Sequence, residues 1–262
     1  MSATAARLIG GRSQELLRFI EERGQVSVSE VCERFRISEA TARRHLALLA
    51  ERGEIERVHG GAIAAQQMSP VLPLNERSQQ QSLEKVAIGR TAAALIGDGE
   101  TIFLGSGTTI YQMALHLQDR KGLTVITNSV PVITALSPVP DITLICLGGI
   151  LRRSEMSLIG HISEMALSQL RADKVILGVK AVDLEHGLTN DYLPETTTDR
   201  AILGIGREII IAADHSKCAR VSTSFVAPLH QMHTFVTDWR TPPEFVDALR
   251  QRGIRVVQAA NE

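Results

Sequence analysis

The chain has few aromatic residues and few cysteines. Aromatic side chains make up 3% of its 262 residues, which argues against a surface of stacked rings for single-stranded nucleic acid. Its three cysteines, Cys32, Cys146 and Cys218, have neither metal-ligand spacing nor the pattern of a disulfide framework. We expect Cys32 and Cys146 to be buried thiols. Cys218 lies beside Lys217 and has either a structural role or a more reactive thiol.

Long apolar runs and a charge imbalance are missing as well. No apolar stretch approaches the roughly 18 residues that a membrane span needs, and no signal-peptide pattern opens the sequence. We therefore expect a cytoplasmic protein that does not enter a membrane. The formal net charge is −1, so the chain as a whole is not a general binder of polyanions.

Residues 26–45 have the pattern of a helix-turn-helix. Ser27 and Glu30 have the spacing of a capping box, which predicts the start of a helix of about two turns. A turn at residues 36–37 follows, and Ser38 is placed to cap a second helix. An amphipathic helix predicted just upstream, over residues 13–23, completes a three-helix core.

The second helix and the segment after it predict a DNA-binding surface. Ala42, Leu46 and Leu49 fall at helical spacing and are expected to face the core. Residues 54–59, closed by Gly60-Gly61, predict a short two-stranded wing. Helices, turn and wing in so short a segment are typical of a winged helix-turn-helix, which places one helix in a DNA major groove. The residues left to solvent or to DNA on that helix are Glu39, Thr41, Arg43, Arg44 and His45.

The pair Arg43-Arg44 has two interpretations. Most Arg pairs on helices form a solvated charged face, but in this setting the pair predicts contacts with phosphate or guanine. Residues 1–62 carry 10 Arg, no Lys and 9 Glu, so DNA affinity must come from the placement of a few Arg. We expect a single module to bind weakly, and a dimer or tetramer to bind a repeated site.

From residue 83 onward the sequence alternates between helix and strand. Short apolar strands separated by helices predict an α/β domain with a parallel sheet covered on both faces. We place a DNA-binding domain at residues 9–64, a linker rich in Gln, Ser and Pro at 65–82, and a second domain at 83–262. The predicted strands cover residues 101–104, 123–127, 142–147, 174–179, 209–213 and 234–236. The predicted helices cover residues 83–96, 109–117, 131–136, 162–170, 198–208 and 243–252.

Three loops after predicted strands carry chemistry suited to an anionic ligand, because ligands of such sheets bind beyond the carboxyl ends of the strands. The loop Gly105-Ser106-Gly107-Thr108-Thr109 opens a helix with small residues and hydroxyls, and is either an anion cradle or a plain tight turn. It matches neither the Walker motif nor GxGxxG. Thr127-Asn128-Ser129 adds hydroxyl and amide groups. Leu147-Gly148-Gly149 follows the third strand. Arg152-Arg153 after it form either a rim or an interface, or direct contacts with the ligand, and the first interpretation is favoured.

Further polar residues follow the later strands. Asp214-His215-Ser216-Lys217 comes after a strongly apolar strand, and Lys217 either pairs with phosphate or a carboxylate, or is a solvated lysine in an ordinary turn. His186 and His215 are not at metal spacing with a third ligand, so we predict no metal site, and we predict no cofactor. The remaining polar residues of this region are Asp183, Asn190, Asp191, Glu195 and Asp199.

In their order and spacing these motifs resemble those of the DeoR/GlpR family of bacterial regulators of sugar metabolism, across nearly the entire chain. The resemblance implies an N-terminal winged helix-turn-helix and a C-terminal sensor domain. It also implies that the sensor is similar in fold to ribose-5-phosphate isomerase and binds a phosphorylated sugar or sugar derivative. The segments that carry the resemblance are residues 38–45, 57–62, 105–109, 127–129 and 147–149, Asp183, and residues 214–217.

The chain departs from the family pattern at three places. The recognition helix usually reads Thr-Ile-Arg-Arg-Asp, where this chain has Thr41-Ala42-Arg43-Arg44-His45. The phosphate loop commonly begins with Asp, where this chain has Gly105, and residues 193–198 replace a more usual acidic run. The first departure implies a different operator. The other two leave the identity of the effector open.

The sequence therefore predicts a ligand-responsive transcriptional regulator, a repressor of an operon for a sugar or carbohydrate derivative, and not an enzyme. Two alternatives remain: an isomerase-like enzyme that uses Asp183 or Glu195 with Lys217, and a regulator that no longer binds a ligand. The partners expected are double-stranded operator DNA, a phosphorylated sugar and further copies of the chain. The predicted DNA-binding residues are Ser38, Thr41, Arg43, Arg44, His45, Arg57 and His59. The predicted effector-binding residues are Gly105, Ser106, Gly107, Thr108, Thr109, Thr127, Asn128, Ser129, Gly148, Gly149, Asp183 and Lys217.

Overall fold

The computed structural model describes residues 15–20, 23, 25–51, 55–58, 61–64 and 74–261. The chain divides into an N-terminal unit, Met1–Val71, and a C-terminal unit, Leu72–Glu262. This division falls inside the segment predicted to be a linker, and the domain limits given above stay predictions. Among the described helices, none combines the length and the apolar character needed to cross a bilayer.

The N-terminal unit combines helices with a small antiparallel sheet. The sheet has three strands in the order β1-β3-β2, and its first strand was not predicted from the sequence. The described elements are α1 (residues 15–20), β1 (Gln25–Ser27), α2 (Val28–Phe35), α3 (Glu39–Glu51), β2 (Ile55–Val58) and β3 (Gly61–Ala64).

Local side-chain contacts explain where α2 and α3 begin. Ser27 Oγ accepts the Glu30 N–H at 3.2 Å and the Glu30 carboxylate accepts the Ser27 N–H at 2.7 Å, so the predicted capping box is confirmed. Arg36 ends α2 with a φ of 51°. Ser38 Oγ then accepts the Thr41 N–H at 3.3 Å, as predicted for a cap. The core of this unit includes Leu16, Ile20, Val26, Val31, Ala42, Leu46, Leu49 and Ile55.

The C-terminal unit alternates helices and strands, as predicted. Its described helices and strands are α4 (Leu74–Gln79), α5 (Ser82–Ala93), β4 (Thr101–Leu104), α6 (Thr108–Leu115), β5 (Leu123–Thr127), α7 (Val130–Leu136), β6 (Ile142–Cys146), β7 (Ile150–Arg152), β8 (Ser157–Ile159), α8 (His161–Ser168), β9 (Ala172–Leu177), β10 (Ala181–Asp183), β11 (Gly187–Asn190), α9 (Leu193–Leu203), β12 (Gly206–Ala212), β13 (Ser224–Ala227), β14 (Thr234–Thr237), α10 (Pro243–Gln251) and β15 (Arg255–Gln258).

A parallel sheet of seven strands forms the centre of this unit, in the order β15-β14-β12-β9-β4-β5-β6. Neighbouring residues of β9 belong to different apolar clusters, Val175 to one and Ile176 to the other, because successive side chains of a strand point to opposite faces. Residues of α5, α6 and α7 join the cluster of Ile176, and residues of α8, α9 and α10 join that of Val175. The prediction of a doubly covered parallel sheet is confirmed.

Three expectations for this unit need correction. The segment read as a linker contains α4, and the helix expected at 198–208 is α9, which begins five residues earlier because Pro194 occupies its first turn. Cys146 is exposed, because it ends the edge strand β6. Cys218 is half-buried, and burial raises the pKa of its thiol to about 12, which favours the structural role over the reactive one.

Candidate functional site

A cleft lies beyond the carboxyl ends of β4, β9 and β12, three strands that are neighbours in the parallel sheet. It is lined by the loop after β4, by residues 178–180 after β9, and by residues 212–214 with Lys217 around the end of β12. The carboxyl ends of parallel strands are the usual ligand position in such sheets. Of the residues predicted for the first loop and the last turn, residues 106–109 and Lys217 therefore lie together in this cleft, whereas Gly105 is not in its lining.

The loop after β4 leads into the first turn of α6, and this turn lines the cleft. Gly107 has a φ of 103°, a conformation that favours glycine. The first N–H groups of a helix have no partner within the helix, and its dipole attracts negative charge. Gly105 instead packs the start of the loop against β9. Its N–H donates to the Ile176 carbonyl at 3.0 Å, and a Cβ at this position would lie 2.5 Å from Leu177 Cδ2.

Cationic side chains converge on this cleft from four segments of the chain: Arg77, Lys85, Lys180 and Lys217. Two of them share one carboxylate, since both the Arg77 guanidinium and Lys180 Nζ donate to Glu155 Oε1, the latter at 2.8 Å. Burial raises the pKa of Glu155, but the cations of Arg77 and Lys180 outweigh burial and the net pKa is lowered. Glu155 is therefore an ionised, buried carboxylate.

Lys85 and Lys217 are both charged groups in a desolvated position. Lys85 Nζ donates to the carbonyls of Arg77 and Gln80, each at 2.6 Å. The pKa of Lys85 is lowered to about 8; burial is the main cause, and the positive charges of Arg77 and Lys217 add to it against the opposing effect of Asp214. Burial also lowers the pKa of Lys217. A dianion entering the cleft would stabilise both ammonium groups.

Two carboxyl groups of α9, Glu195 and Asp199, line another part of the cleft. Burial raises the pKa of Asp199 well above its usual value, and the nearby charge of Glu195 adds to the effect. Asn190 Nδ2 donates to Asp199 Oδ2 at 2.5 Å. Arg152 is buried, ion-paired with Glu195, and lies 4.4 Å from the Tyr192 ring centroid. Arg152 therefore stabilises the position of α9 and does not form the predicted rim or interface.

The segment after β5 contributes one side chain to the cleft, that of Asn128. Asn128 Nδ2 donates to the Leu158 carbonyl at 3.1 Å, which orients Oδ1. In the part of the chain that the structure describes, this buried Oδ1 has no hydrogen-bond partner. Thr127 and Ser129 shape the turn instead, because Thr127 Oγ1 donates to the Leu104 carbonyl at 2.6 Å and accepts the Ser129 N–H at 3.0 Å.

Gly148, Gly149 and Asp183 lie outside the lining of the cleft, as far as the described residues define it. Gly149 has a φ of 142°, and a Cβ there would lie 2.5 Å from Ser163 Oγ. Asp183 closes a turn: a backbone hydrogen bond from His186 is the main cause that lowers its pKa to about 2. The effector-binding role given to these three residues stays a prediction.

Sequence reasoning missed Arg77, Lys85 and Lys180. Arg77 lies on α4, in the segment read as a linker, and Lys85 lies on α5 between Glu84 and Val86. Neither of these two follows a strand, so the rule that located the loops did not apply to them. Lys180 follows β9 and was overlooked. In the sequence, Lys85 has the pattern of an ordinary solvated lysine on a helix.

The recognition helix α3 has the predicted polarity. Ala42, Leu46 and Leu49 are buried, Arg43 and Arg44 are exposed, and Thr41 and His45 are half-buried. Arg43 Nε donates to the exposed carboxylate of Glu39 at 3.1 Å, a surface pair that contributes little to stability. Both guanidinium groups therefore remain accessible to DNA.

The wing consists of β2 and β3, in which Arg57 lies opposite Ala62. The side chain of Arg57 and the whole of His59 lie outside the described residues. Gly61 has a structural role, because a Cβ at this position would lie 2.1 Å from the Val26 carbonyl oxygen of the neighbouring strand β1. The glycine is thus required for the β1–β3 pairing.

Comparison with known proteins agrees with both units. Residues 12–68 match the family model described as DeoR-like helix-turn-helix domain, and residues 80–239 match DeoR C terminal sensor domain. Fold, site and comparison together define a transcriptional regulator with a DNA-binding unit and a sensor unit. The chain belongs to the DeoR family. This membership confirms the prediction of a regulator and not an enzyme.

Several curated relatives match along nearly their whole length. The regulator IolR of Bacillus subtilis (strain 168) is 31% identical over 245 residues, which cover 94% of this chain and 97% of IolR. The glycerol-3-phosphate regulon repressor of Escherichia coli (strain K12) is 32% identical, with the same shares. The repressor GlcR of Bacillus subtilis (strain 168) is 32% identical over 92% of this chain and 93% of GlcR.

Solved structures show a more distant likeness to part of this chain. Ribose 5-phosphate isomerase A from Neisseria gonorrhoeae has a TM-score of 0.40 and 15% identity, and the match covers 54% of this chain and 55% of the isomerase. At that distance the likeness carries no argument about chemistry.

Proposed function

We propose that this protein represses an operon for the catabolism of a sugar or carbohydrate derivative, and that a phosphorylated effector in the cleft controls its DNA binding. The observation that carries the proposal is the convergence of Arg77, Lys85 and Lys217 on the loop that starts α6. Two relatives are named as repressors, and one of those names contains glycerol-3-phosphate.

The charged and polar groups of the cleft suit an effector with two chemically different parts. Its cationic end suits a dianionic phosphate group, which backbone N–H groups at a helix start also bind. Its other end offers the unpartnered acceptor Asn128 Oδ1 and the buried carboxyl groups of Glu195 and Asp199. A buried acceptor without a partner costs free energy that a ligand hydroxyl would recover. A hydroxylated monophosphate satisfies both ends.

In this proposal, α3 and the wing contact the DNA. Arg43, Arg44 and Thr41 face the major groove, and Arg57 and His59 lie near the phosphate backbone. One module has too little net positive charge for strong binding on its own, so two or more copies of the chain bind a repeated operator. The effector changes operator affinity by its differential affinity for the two arrangements of these modules.

The first test is fluorescence anisotropy with labelled DNA from upstream of the protein's own gene and with scrambled DNA, at one near-physiological salt concentration. A panel of sugar phosphates is then added, each beside its unphosphorylated sugar and beside inorganic phosphate. The proposal expects specific binding that a sugar phosphate weakens and the matched sugar does not. An unbiased selection of binding sequences follows if the upstream DNA shows no preference, and binding without sequence preference in that selection contradicts the proposal.

A thermal-shift series separates the effector from the DNA-binding part of the proposal. Saturating ligand stabilises the folded state, so one sugar phosphate should raise the melting temperature of the wild-type protein. Lys217→Gln should weaken that response, whereas Arg250→Gln on α10, an exposed residue that does not line the cleft, should not. A panel without any response at millimolar concentrations favours a regulator that has lost its ligand.

A further inference from the structure

We propose that Arg77 binds the anionic group of the effector and couples its presence to helix α4. This inference rests on the proposed function, because it needs an anion in the cleft. Helix α4 (Leu74–Gln79) is the first described helix after the N-terminal unit along the chain. A ligand that holds or releases α4 thus acts on the segment that leads directly to the DNA-binding unit.

Arg77 belongs to helix α4, and it also lines the cleft. Its guanidinium, 18% exposed, pairs with Glu155 in the turn between β7 and β8, and Arg77 lines the cleft together with the loop after β4. A guanidinium has five N–H donors in a planar fork. It can therefore keep one donor on Glu155 and present others to a phosphate.

Lys85 provides a second connection between the cleft and α4. Its Nζ donates to the carbonyls of Arg77 and Gln80, which lie at the end of α4. The Arg77 carbonyl also accepts the Gln80 N–H at 3.2 Å, so the ammonium is a further donor to the carbonyls at this helix end. The same ammonium lines the cleft. An anion beside it adds an ionic partner that holds the ammonium in this position.

The contacts of Arg77 and Lys85 both stabilise α4 when an anion is bound. The anion adds a partner to the Arg77 guanidinium, and it adds a partner to the Lys85 ammonium that donates to the carbonyls of Arg77 and Gln80. Occupancy of the cleft should therefore order α4, and removal of the anion should loosen it. Lys217, which lines the cleft but comes from the segment after β12, contributes to affinity without contacting α4 in this scheme.

Hydrogen exchange of the full-length protein tests this coupling with inorganic phosphate as the probe, against chloride at equal ionic strength. In the wild-type protein, saturating phosphate should slow exchange across residues 74–80 by at least about threefold. Helix α8 (His161–Ser168) serves as the internal control. Arg77→Gln should abolish the slowing, whereas Lys217→Gln should need more phosphate but show the full slowing at saturation.

Parallel thermal shifts make the outcomes distinct. If phosphate stabilises the wild-type protein but leaves residues 74–80 unchanged, the anion site stands and the coupling is overturned. Full slowing in Arg77→Gln overturns it as well. If phosphate neither stabilises the protein nor changes exchange, the anion site of the proposed function fails, and the coupling fails with it. Should Arg77→Gln fold poorly, Arg77→Gln/Glu155→Gln removes the carboxylate it would leave behind and repeats the test.

Discussion

The guanidinium of Arg77 donates to the carboxylate of Glu155, 78 residues further along the chain. Glu155 Oε1 also accepts from Lys180 Nζ at 2.8 Å, so one buried carboxylate joins three segments of the C-terminal unit. The first is helix α4, the second the turn between β7 and β8, and the third the end of β9. These segments surround the same cleft, so changes at Glu155 affect both stability and ligand response.

Removal of this carboxylate should destabilise the C-terminal unit. In Glu155→Gln, Arg77 and Lys180 lose their shared anion, and breaking a buried pair of this kind costs about 3 kcal/mol. The difference in the free energy of unfolding between the variant and the wild-type protein should depend on pH. The folded pKa of Glu155 is lowered, so its contribution is present above the unfolded value of about 4.3 and is lost as pH falls through the folded value. Urea unfolding of both proteins at pH 7 and in acid checks this, and equal stability at pH 7 would contradict it.

Anion affinity should fall as pH rises through about 8. Lys85 has a pKa of about 8, and a bound anion favours its charged form, so binding takes up a proton there and weakens at higher pH. Sulfate is the probe, since its charge is constant in this range. Affinity measured by calorimetry should fall about tenfold from pH 7 to pH 9, the change expected for loss of one protonated group with that pKa.

Other charged groups near Lys85 enter that profile. The charges of Arg77 and Asp214 act on Lys85, and Glu84 is paired with Arg240 at 3.0 Å. Lys217 has a lowered pKa of its own and adds to the decline. Lys85→Met should bind sulfate weakly at pH 7 and show a flatter profile. A profile in Lys85→Met as steep as that of the wild-type protein would assign the pH dependence to Lys217.

Operator recognition should depend on Arg43 and Arg44. The double variant Arg43→Ala/Arg44→Ala should lose specific affinity by at least about 100-fold, because each base contact contributes about 1–3 kcal/mol. Both side chains are exposed, so the melting temperature should stay within a few degrees of the wild-type value. Anisotropy at fixed salt gives the affinity, and Arg250→Ala is the control. Wild-type operator affinity in the double variant would exclude α3 as the recognition helix.

Asn128 should discriminate hydroxylated phosphates from phosphate itself. Asn128→Leu removes the unpartnered Oδ1 acceptor and leaves the cationic end of the cleft in place. The preference for the responding sugar phosphate over inorganic phosphate should fall about tenfold, since a hydrogen bond lost from a buried group costs about 1–3 kcal/mol. Calorimetric titration of both anions measures the preference. An equal loss for the two would show that Asn128 reads no hydroxyl.

Thiol reactivity should follow exposure. Cys146 is exposed at the end of β6, whereas burial raises the pKa of Cys218 to about 12. At pH 8 iodoacetamide should modify Cys146 at least about tenfold faster than Cys218, because only the thiolate reacts. Mass spectrometry of the digested protein at successive times gives both rates. Faster modification of Cys218 would restore the reactive alternative.

Sequence patterns predicted the parts of the fold that have a strong local signal. The strands β4 and β5 were predicted with their observed limits, because each is a short apolar run between turn residues. The strands β7, β8 and β10 have three residues each, too few to show alternation. Their pairing depends on partners distant in the sequence, which single-sequence reasoning does not supply.

The candidate site was predicted only in part, even where it follows strands. Residues 106–109, Asn128 and Lys217 line the cleft because the carboxyl ends of parallel strands meet at one edge. Lys180 follows β9 and also lines the cleft, but it was overlooked.

Other residues show why position after a strand is not sufficient to identify the site. Arg77 and Lys85 reach the cleft from helices ahead of the first strand of the parallel sheet, and only the packing of α4 and α5 reveals this. Gly148 follows β6 and Asp183 ends β10, yet both lie outside the cleft lining.

The close packing of Gly105 against Leu177 couples the residue types that these two positions accept. A Cβ at position 105 would lie 2.5 Å from Leu177 Cδ2, and Leu177 is buried. An aspartate at position 105 therefore requires that the Leu177 side chain change rotamer or be replaced by a shorter one. Alignments of close homologues should show residues 105 and 177 varying together.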